Sequence, residues 1–303
     1  MGYKWGASVT TGSQPQGITF GDGTLWVANR TSGTVTRVDP ATLAVTATII
    51  VPLAKLVQYA FGHCWVGDDS LSSTIHKIDP VTNTVVATKS TVFTLEDLSF
   101  NGTYLYYTFT YFGVAAMVAL DPTTLVNSGG VSGVSTVTAG ATGANSLWIS
   151  DTSGIIKRYD ETTRALQATI TLPAGSYANV LTYSFGSIWA GVVLGNSPFS
   201  SVERIDPATN TIIAATMDFG NSFTPLYFAT QTAFLWVGVT GYQVWQIDPS
   251  SNTFTDSLNL PSLQNPAGMG TDSSNDVWVS YGSGIHRIEP FGAAGWVRGH
   301  AWG

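Results

Sequence analysis

Charge is what this chain has least of. Its 303 residues include 12 Lys and Arg and 19 Asp and Glu, so 10% are charged, against about 25% in an average soluble domain. The net charge is −7 and basic residues nowhere form a run. No footprint exists to neutralise phosphates, and neither nucleic acid nor an anionic membrane surface is expected as a partner. Cysteine is nearly missing too. Cys64 is alone, so no internal disulfide can staple the fold and the core must hold it. Long hydrophobic runs are missing, and no membrane insertion is expected. Residues 1–20, MGYKWGASVTTGSQPQGITF, have neither an apolar centre nor a cleavage box. No secretory signal peptide is expected, which implies cytoplasmic synthesis. Gly6 stands where a myristoylation signal requires Ser or Thr. Gly-X-Ser-X-Gly, P-loop, Cys-X-X-Cys and dinucleotide-binding patterns are absent, which removes the common nucleophile and phosphate chemistries.

What is present points one way. The chain has 32 Gly, 10 Trp, 12 Tyr and 14 Phe, with Thr and Val abundant, the composition of an all-β protein rather than of a helical bundle or a disordered chain. An Asp-Pro or near equivalent recurs seven times, at Asp39, Asp79, Asp121, Asp160 (followed by Glu161), Asp206, Asp248 and Glu289, with gaps of 40, 42, 39, 46, 42 and 41 residues. A second anchor keeps phase 11 to 17 residues upstream, an aromatic within an apolar run: Trp26, Trp65, Tyr106, Trp148, Trp189, Trp236 and Trp278. The first unit, residues 15–51, splits at turn residues into four β-rich runs, Gly17 to Phe20, Leu25 to Asn29, Thr34 to Asp39 and Leu43 to Ile50. Four short strands per unit of about 40 to 45 residues is the pattern of a propeller blade. The expected fold is therefore a seven-bladed β-propeller of four-stranded antiparallel blades, in a single domain spanning 1–303. Residues 4–10 are expected to supply the last strand of blade seven, leaving 295–303 as a C-terminal tail. The alternative is that this tail, GWVRGHAWG, supplies that strand.

With these residues in view, the first unit resembles a YVTN-type repeat. It is similar to the repeats of virginiamycin B lyase-like and NHL propellers over roughly residues 12–290. The resemblance implies that the first strand of each blade lines a central channel and the fourth lies outermost. It implies little about activity, because the fold carries lyases, lactonases, sensors and scaffolds alike. Streptogramin lyases of this kind use histidine and acidic side chains near the channel mouth with Mg²⁺. Here His63, His76, His286 and His300 form no ligand pair and none falls in a connection at that mouth.

The repeat also sorts the candidate residues. Six tryptophans share one place in the second strand and read as packing. Cys64 occupies an apolar position of the same strand and reads as a small buried hydrophobe. The repeated Asp residues read as turn chemistry. Asp68 and Asp69, in a loop of blade two, and Glu96 and Asp97, starting blade three, are hard oxygen donors that could meet on one face around Ca²⁺ or Mg²⁺.

The connections from fourth to first and from second to third strands open on one face and are longer and more aromatic than those opposite. They bring Tyr59, Phe93, Phe109, Tyr111, Phe112, Tyr177, Phe199, Phe219, Phe223, Tyr242 and Tyr281 into view as a binding face. Trp296, Arg298, His300 and Trp302 make a candidate docking tail. The expectation is a non-enzymatic interaction or structural module with no obligatory cofactor. It would touch a protein partner or a surface glycan through the aromatic face, in an extracellular assembly such as a phage virion. The alternative is a metal-dependent lyase or hydrolase with its ion near Glu96, Asp97 and Asn179.

Overall fold

The computed structural model describes residues 2–194, 200–213, 217–219 and 223–290. These contain strands and turns and no helix. Seven antiparallel sheets follow one another along the chain, at 15–50, 54–90, 95–134, 137–171, 176–218, 225–259 and 268–290. Each is a four-stranded meander, with the outer strand of blade five in two pieces, Thr211–Ile212 and Met217–Asp218. Blade seven takes its fourth strand from the other end of the chain, where Tyr3–Thr10 pairs antiparallel with Gly284–Pro290. The fold is a seven-bladed β-propeller closed by its N-terminal strand. The expected C-terminal tail, 295–303, lies outside the described residues.

The turn motif explains the repeat physically. In Asp39-Pro40-Ala41-Thr42-Leu43 the Asp39 carboxylate accepts the Ala41 and Thr42 N–H groups at 2.8 and 3.2 Å, and Leu43 N–H returns to the Asp39 carbonyl at 2.8 Å. The same closure recurs at Asn83, Leu125, Arg164, Asn210 and Asn252, four residues after each Asp. All six closing residues have positive φ, between 55° and 63°. Asn tolerates that region best, and three of the six are Asn. Donated backbone N–H groups hold Asp39, Asp79, Asp121 and Asp160 below the usual carboxylate value.

The tryptophans lie in the seams. Trp26 packs with Cys64, Val66 and Ile78 of the next blade, and Trp278 packs with Leu25 and Val27, so the core is a ring of seven clusters, one between each pair of blades. The six tryptophans of the second strands are fully buried, and truncating any one to Ala would cost about 3–5 kcal/mol. Each indole N–H bonds near the first turn of its own blade, as Trp26 does to the Gly21 carbonyl at 3.2 Å and Trp189 to the Ser184 carbonyl at 2.9 Å.

A cation from the third strand covers the indole and reaches onward. The Arg37 guanidinium sits 4.5 Å from the Trp26 ring and donates across the seam to the Pro80 carbonyl at 2.5 Å and the Asn83 side chain at 2.8 Å. Arg204 covers Trp189 and bonds Pro249 and Asn252 at 2.6 and 2.9 Å. Arg158 does the same with Trp148, Pro207 and Asn210. Lys77 covers Trp65 and reaches Pro122 alone, at 2.8 Å. The turn that repeats along the sequence is thus the acceptor for the preceding blade.

The closing strand is held by more than its ladder. Tyr3 meets Trp236 edge to face at 4.9 Å and the Trp5 indole donates to the Asn259 carbonyl at 2.6 Å, so the strand grips blade six as well as blade seven. Trp5 also sets its edge against Tyr281 and His286, which stack on each other at 3.9 Å. Burial pulls the His286 imidazole down to about 4. A base whose folded pKa is depressed costs the fold nothing while neutral, but the unfolded chain takes the proton first, so stability falls as pH drops from about 6.5 through 4.

Two outcomes follow. Arg204→Met should lower stability by about 2–3 kcal/mol, since two acceptors lose their donor, while Lys77→Met should cost roughly half as much. Thermal unfolding of both variants checks this, and equal losses would remove the cross-seam bonds from the account. The His286→Gln variant should lose less stability than the wild type between pH 6.5 and 4 in denaturant titrations; parallel curves would mean the imidazole is not held neutral.

Candidate functional site

The expected binding face divides once burial is known. Phe109 and Tyr281 are only 5% and 4% exposed and belong to seam clusters, and Phe219 is buried against Trp245 and Phe254. These three fold inward because blade packing claims their rings. Tyr59 is misplaced by the sequence reading. It lies near the end of the strand Ala54–Ala60, beside the tight first turn on the opposite face, stacked on Trp26 at 6.3 Å over Gly21. Tyr177 and Phe223 are half-buried, the latter packed on Gly241. Tyr242 is exposed by itself in blade six. Phe199 and the tail residues Trp296, Arg298, His300 and Trp302 lie outside the described residues.

Four rings do come together in blade three. Phe93 stacks flat on Phe109 at 4.0 Å, Tyr111 leans on Phe93 at 5.1 Å, and Phe112 meets Tyr111 edge to face at 4.5 Å. The series rises from the core to solvent, with Tyr111 46% and Phe112 90% exposed. Phe112 and Gly113 form the hairpin tip between Leu105–Tyr111 and Val114–Leu120, both with positive φ, 44° and 76°. A bulky residue is unfavourable there. Phe61 and Phe185 occupy comparable turn positions at φ 53° and 51°, but both pack against seam clusters. Phe112 has the same strain and no core contact to offset it.

Aliphatic residues extend the patch, and a search for aromatics alone misses them. Leu71 is 90% exposed, Val92 67% and Val114 58%. The loop carrying Leu71 is tied to the loop carrying Val92 and Phe93 by Ser73 N–H to the Phe93 carbonyl at 3.0 Å and Thr91 N–H to the Ser73 carbonyl at 2.8 Å. The signal was an apolar residue inside otherwise polar Ser70-Leu71-Ser72 and Thr91-Val92.

The four acids do not assemble as one ion site. Among the described residues no three His, Cys, Asp or Glu side chains converge. Asp68 accepts from Ser70 N–H and Oγ at 3.1 and 2.5 Å and faces His76 Nε2 at 3.3 Å. Asp69 pairs with Arg30 at 2.5 Å and Lys55 at 3.1 Å. Burial pushes Asp69 up, but the bonds from Lys55 and Arg30 outweigh it and hold the carboxyl below its usual value. Both acids of blade two are spent on neighbours.

Glu96 and Asp97 line the axial channel instead. This cavity of about 460 Å³ takes wall residues from the innermost strand of all seven blades, and Asn179 is among them. Six of those strands carry a one-residue bulge near their start, between Pro15 and Ile18 in blade one and at Lys55, Glu96, Thr138, Asn179 and Leu226 in the next five. A bulge re-aims the extra side chain, and Glu96, Thr138, Asn179 and Leu226 reach the wall. Asp97 follows its bulge, accepts Leu98 N–H at 2.8 Å, and is pushed up to about 7, by burial first, with Glu96 adding and the Leu98 and Gly140 N–H groups opposing.

No family model and no curated protein matches the chain. Solved structures do. A chain of the Kuenenia stuttgartiensis hydrazine synthase structure superposes with a TM-score of 0.77 at 14% identity, covering 96% of this chain and 99% of that one. The Myceliophteria thermophila Cps50 (Swd1) beta-propeller domain gives 0.76 at 10% identity, with 95% and 99% covered. One is part of an enzyme and the other is not described as one, so likeness at this identity shows the propeller fold alone.

Proposed function

We propose that the protein is a non-enzymatic interaction scaffold that contacts a partner protein through the blade-three patch. The observation carrying this is Phe112, 90% exposed on a strained turn and backed by a stacked ladder of rings reaching the core. Rigid aromatics that lose little entropy on contact are the anchors of protein interfaces. An exposed apolar cluster of this kind marks a contact surface. The patch carries no charged side chain at Leu71, Val92, Tyr111, Phe112 or Val114, so its partner surface is apolar rather than charged. A chain with 10% charged residues suits close packing among neighbours. On this reading the protein serves in an extracellular assembly such as a phage virion; the lyase or hydrolase alternative would place its ion near Glu96, Asp97 and Asn179, which share the channel wall without a third acidic, His or Cys ligand among the described residues.

The test is the mass of the native complex and of the isolated chain. A fixed copy number in a larger particle is expected, with the Tyr111→Ser, Phe112→Ser variant losing tenfold or more in affinity, about 1.4 kcal/mol, at an unchanged melting temperature. A free monomer, or a variant that stays bound, overturns the reading; displacement by a free saccharide would redirect it to a glycan. Chelator should leave the melting temperature where it was, whereas a clear drop would restore the metal-dependent alternative.

A further inference from the structure

We propose that the axial channel binds a small organic cation, an alkylammonium or quaternary ammonium ion, between the Glu96 and Asp97 carboxylates of blade three and the rings of Tyr227 and Phe228 in blade six. The site is independent of the blade-three patch and goes beyond the scaffold reading.

The cavity has the size of a small-molecule site, about 460 Å³ within the usual range of roughly 300–1,000 Å³. Its wall mixes polar and apolar surface in nearly equal parts. Among the wall residues the charged side chains are Glu96 and Asp97, and no Lys, Arg or His is present. Lys55, the bulge residue of blade two, is not on the wall; it turns to Asp69 at 3.1 Å. The cavity is therefore negative with no built-in counter-ion.

Tyr227 follows the bulge of its strand as Asp97 follows its own, so the two stand at the same level of the ring, three blades apart. The Tyr227 and Phe228 rings pack against the seams on the two sides of blade six and leave part of their surface on the channel wall, so a cation held by the carboxylates would meet aromatic surface across the channel, the pairing that recognises an ammonium group. Burial raises the Tyr227 phenol, so it stays neutral and adds no competing charge.

Asp97 supplies a distinguishing signature. Around its carboxyl, Glu96 on the same strand is the charged neighbour, Thr108 faces it from the paired strand, and Gly140 offers a backbone N–H from blade four. Neither Thr108 nor Gly140 titrates. With its pKa near 7, Asp97 is protonated below neutrality in the empty channel. A bound cation favours the ionised form, so binding releases a proton and strengthens as pH rises through 7.

Calorimetry with choline and n-butylammonium, and with 3,3-dimethylbutan-1-ol as the neutral isostere of choline, tests the site on the intact chain. Saturable one-to-one binding of at least one cation at pH 8 is expected, weakening at least tenfold by pH 5, with no binding of the alcohol. Asp97→Asn should reproduce the low-pH affinity at pH 8 and flatten the pH profile, and Glu96→Gln should weaken binding while leaving the profile. No binding of either cation at millimolar concentration overturns the proposal. So does equal binding of the alcohol, an unaltered Asp97→Asn variant, or Mg²⁺ binding that choline does not displace. If Asp97→Asn fails to fold, the wild-type pH profile and Glu96→Gln still decide. Failure here leaves the patch untouched, since the copy-number measurement does not involve the channel.

Discussion

The contact on which the ring depends is a cation laid over a tryptophan and carried on into the next blade. A β-sheet blade is hydrophobic on both faces, and burial alone would let neighbouring blades slide. The Arg–Trp pair prevents this. The guanidinium loses water against the indole, where a cation is worth about 0.5–2 kcal/mol, and its remaining donors find fixed acceptors only at one position of the next turn. For Arg37, Arg158 and Arg204 those acceptors are the Pro carbonyl and the Asn side chain of the repeated turn. Asn in that turn therefore serves twice, tolerating positive φ and receiving the neighbour's arginine.

Where the pattern breaks, the seam is joined by other means. Blade three has Tyr106 for Trp and Ala119 for the cation, and here the bond runs backward: Arg164 of blade four donates to the Tyr106 hydroxyl at 2.9 Å and lies over Tyr104 and Tyr106. Blade six has Gln246 in the cation's place, and its Nε2 is buried without a partner. Its seam is joined lower down, where Gln231 accepts the Trp236 indole N–H at 2.7 Å and donates to the Asn275 carbonyl at 2.8 Å. Blade seven keeps Arg287 over Trp278, but the arginine turns back to Glu289 and Asp276. Next to it the N-terminal strand Tyr3–Thr10 closes the ring with a ladder broken by one bulge between Trp5 and Ser8. The chain thus holds its closing blade by strand pairing where a cross-seam cation is lacking.

The blades were legible in the sequence because each repeated residue does a local job: Asp caps a turn, Trp fills a seam, and both must recur at blade spacing. Closure by residues 4–10 was legible for the same reason, since that segment alternates like every other outer strand. The binding face was less so. Phe109, Phe219 and Tyr281 look the same in sequence as Tyr111 and Phe112, and only the direction of each side chain off its strand separates a buried ring from an exposed one. Tyr59 reads as part of a connection in sequence, but it lies one residue before the end of the strand Ala54–Ala60, paired with Cys64 and so on the face of the tight first turn. The pairing of Glu96 with Asp97 at the channel was visible as a dipeptide, but a bulge, not a spacing, turns Glu96 toward the axis. Asp68 and Asp69 were equally acidic in sequence, and their partners Arg30 and Lys55 come from other strands.

The two faces of the ring divide the labour. Indole bonds, cations and capped turns all lie on the face of the tight connections, so that side is fixed by the requirements of closure and changes there cost stability. The opposite face carries none of these bonds in blade three, where the hairpin tip at Phe112 can hold a strained, exposed ring without loosening a seam. The bulges sit at the start of the innermost strands, on that same free side, and in blades three to six they place one side chain at the axis without altering the ladder outside it. A repeat that must be regular to close can therefore vary at two places, the hairpin tips and the bulges, and those are where the exposed rings and the unpaired acids are found.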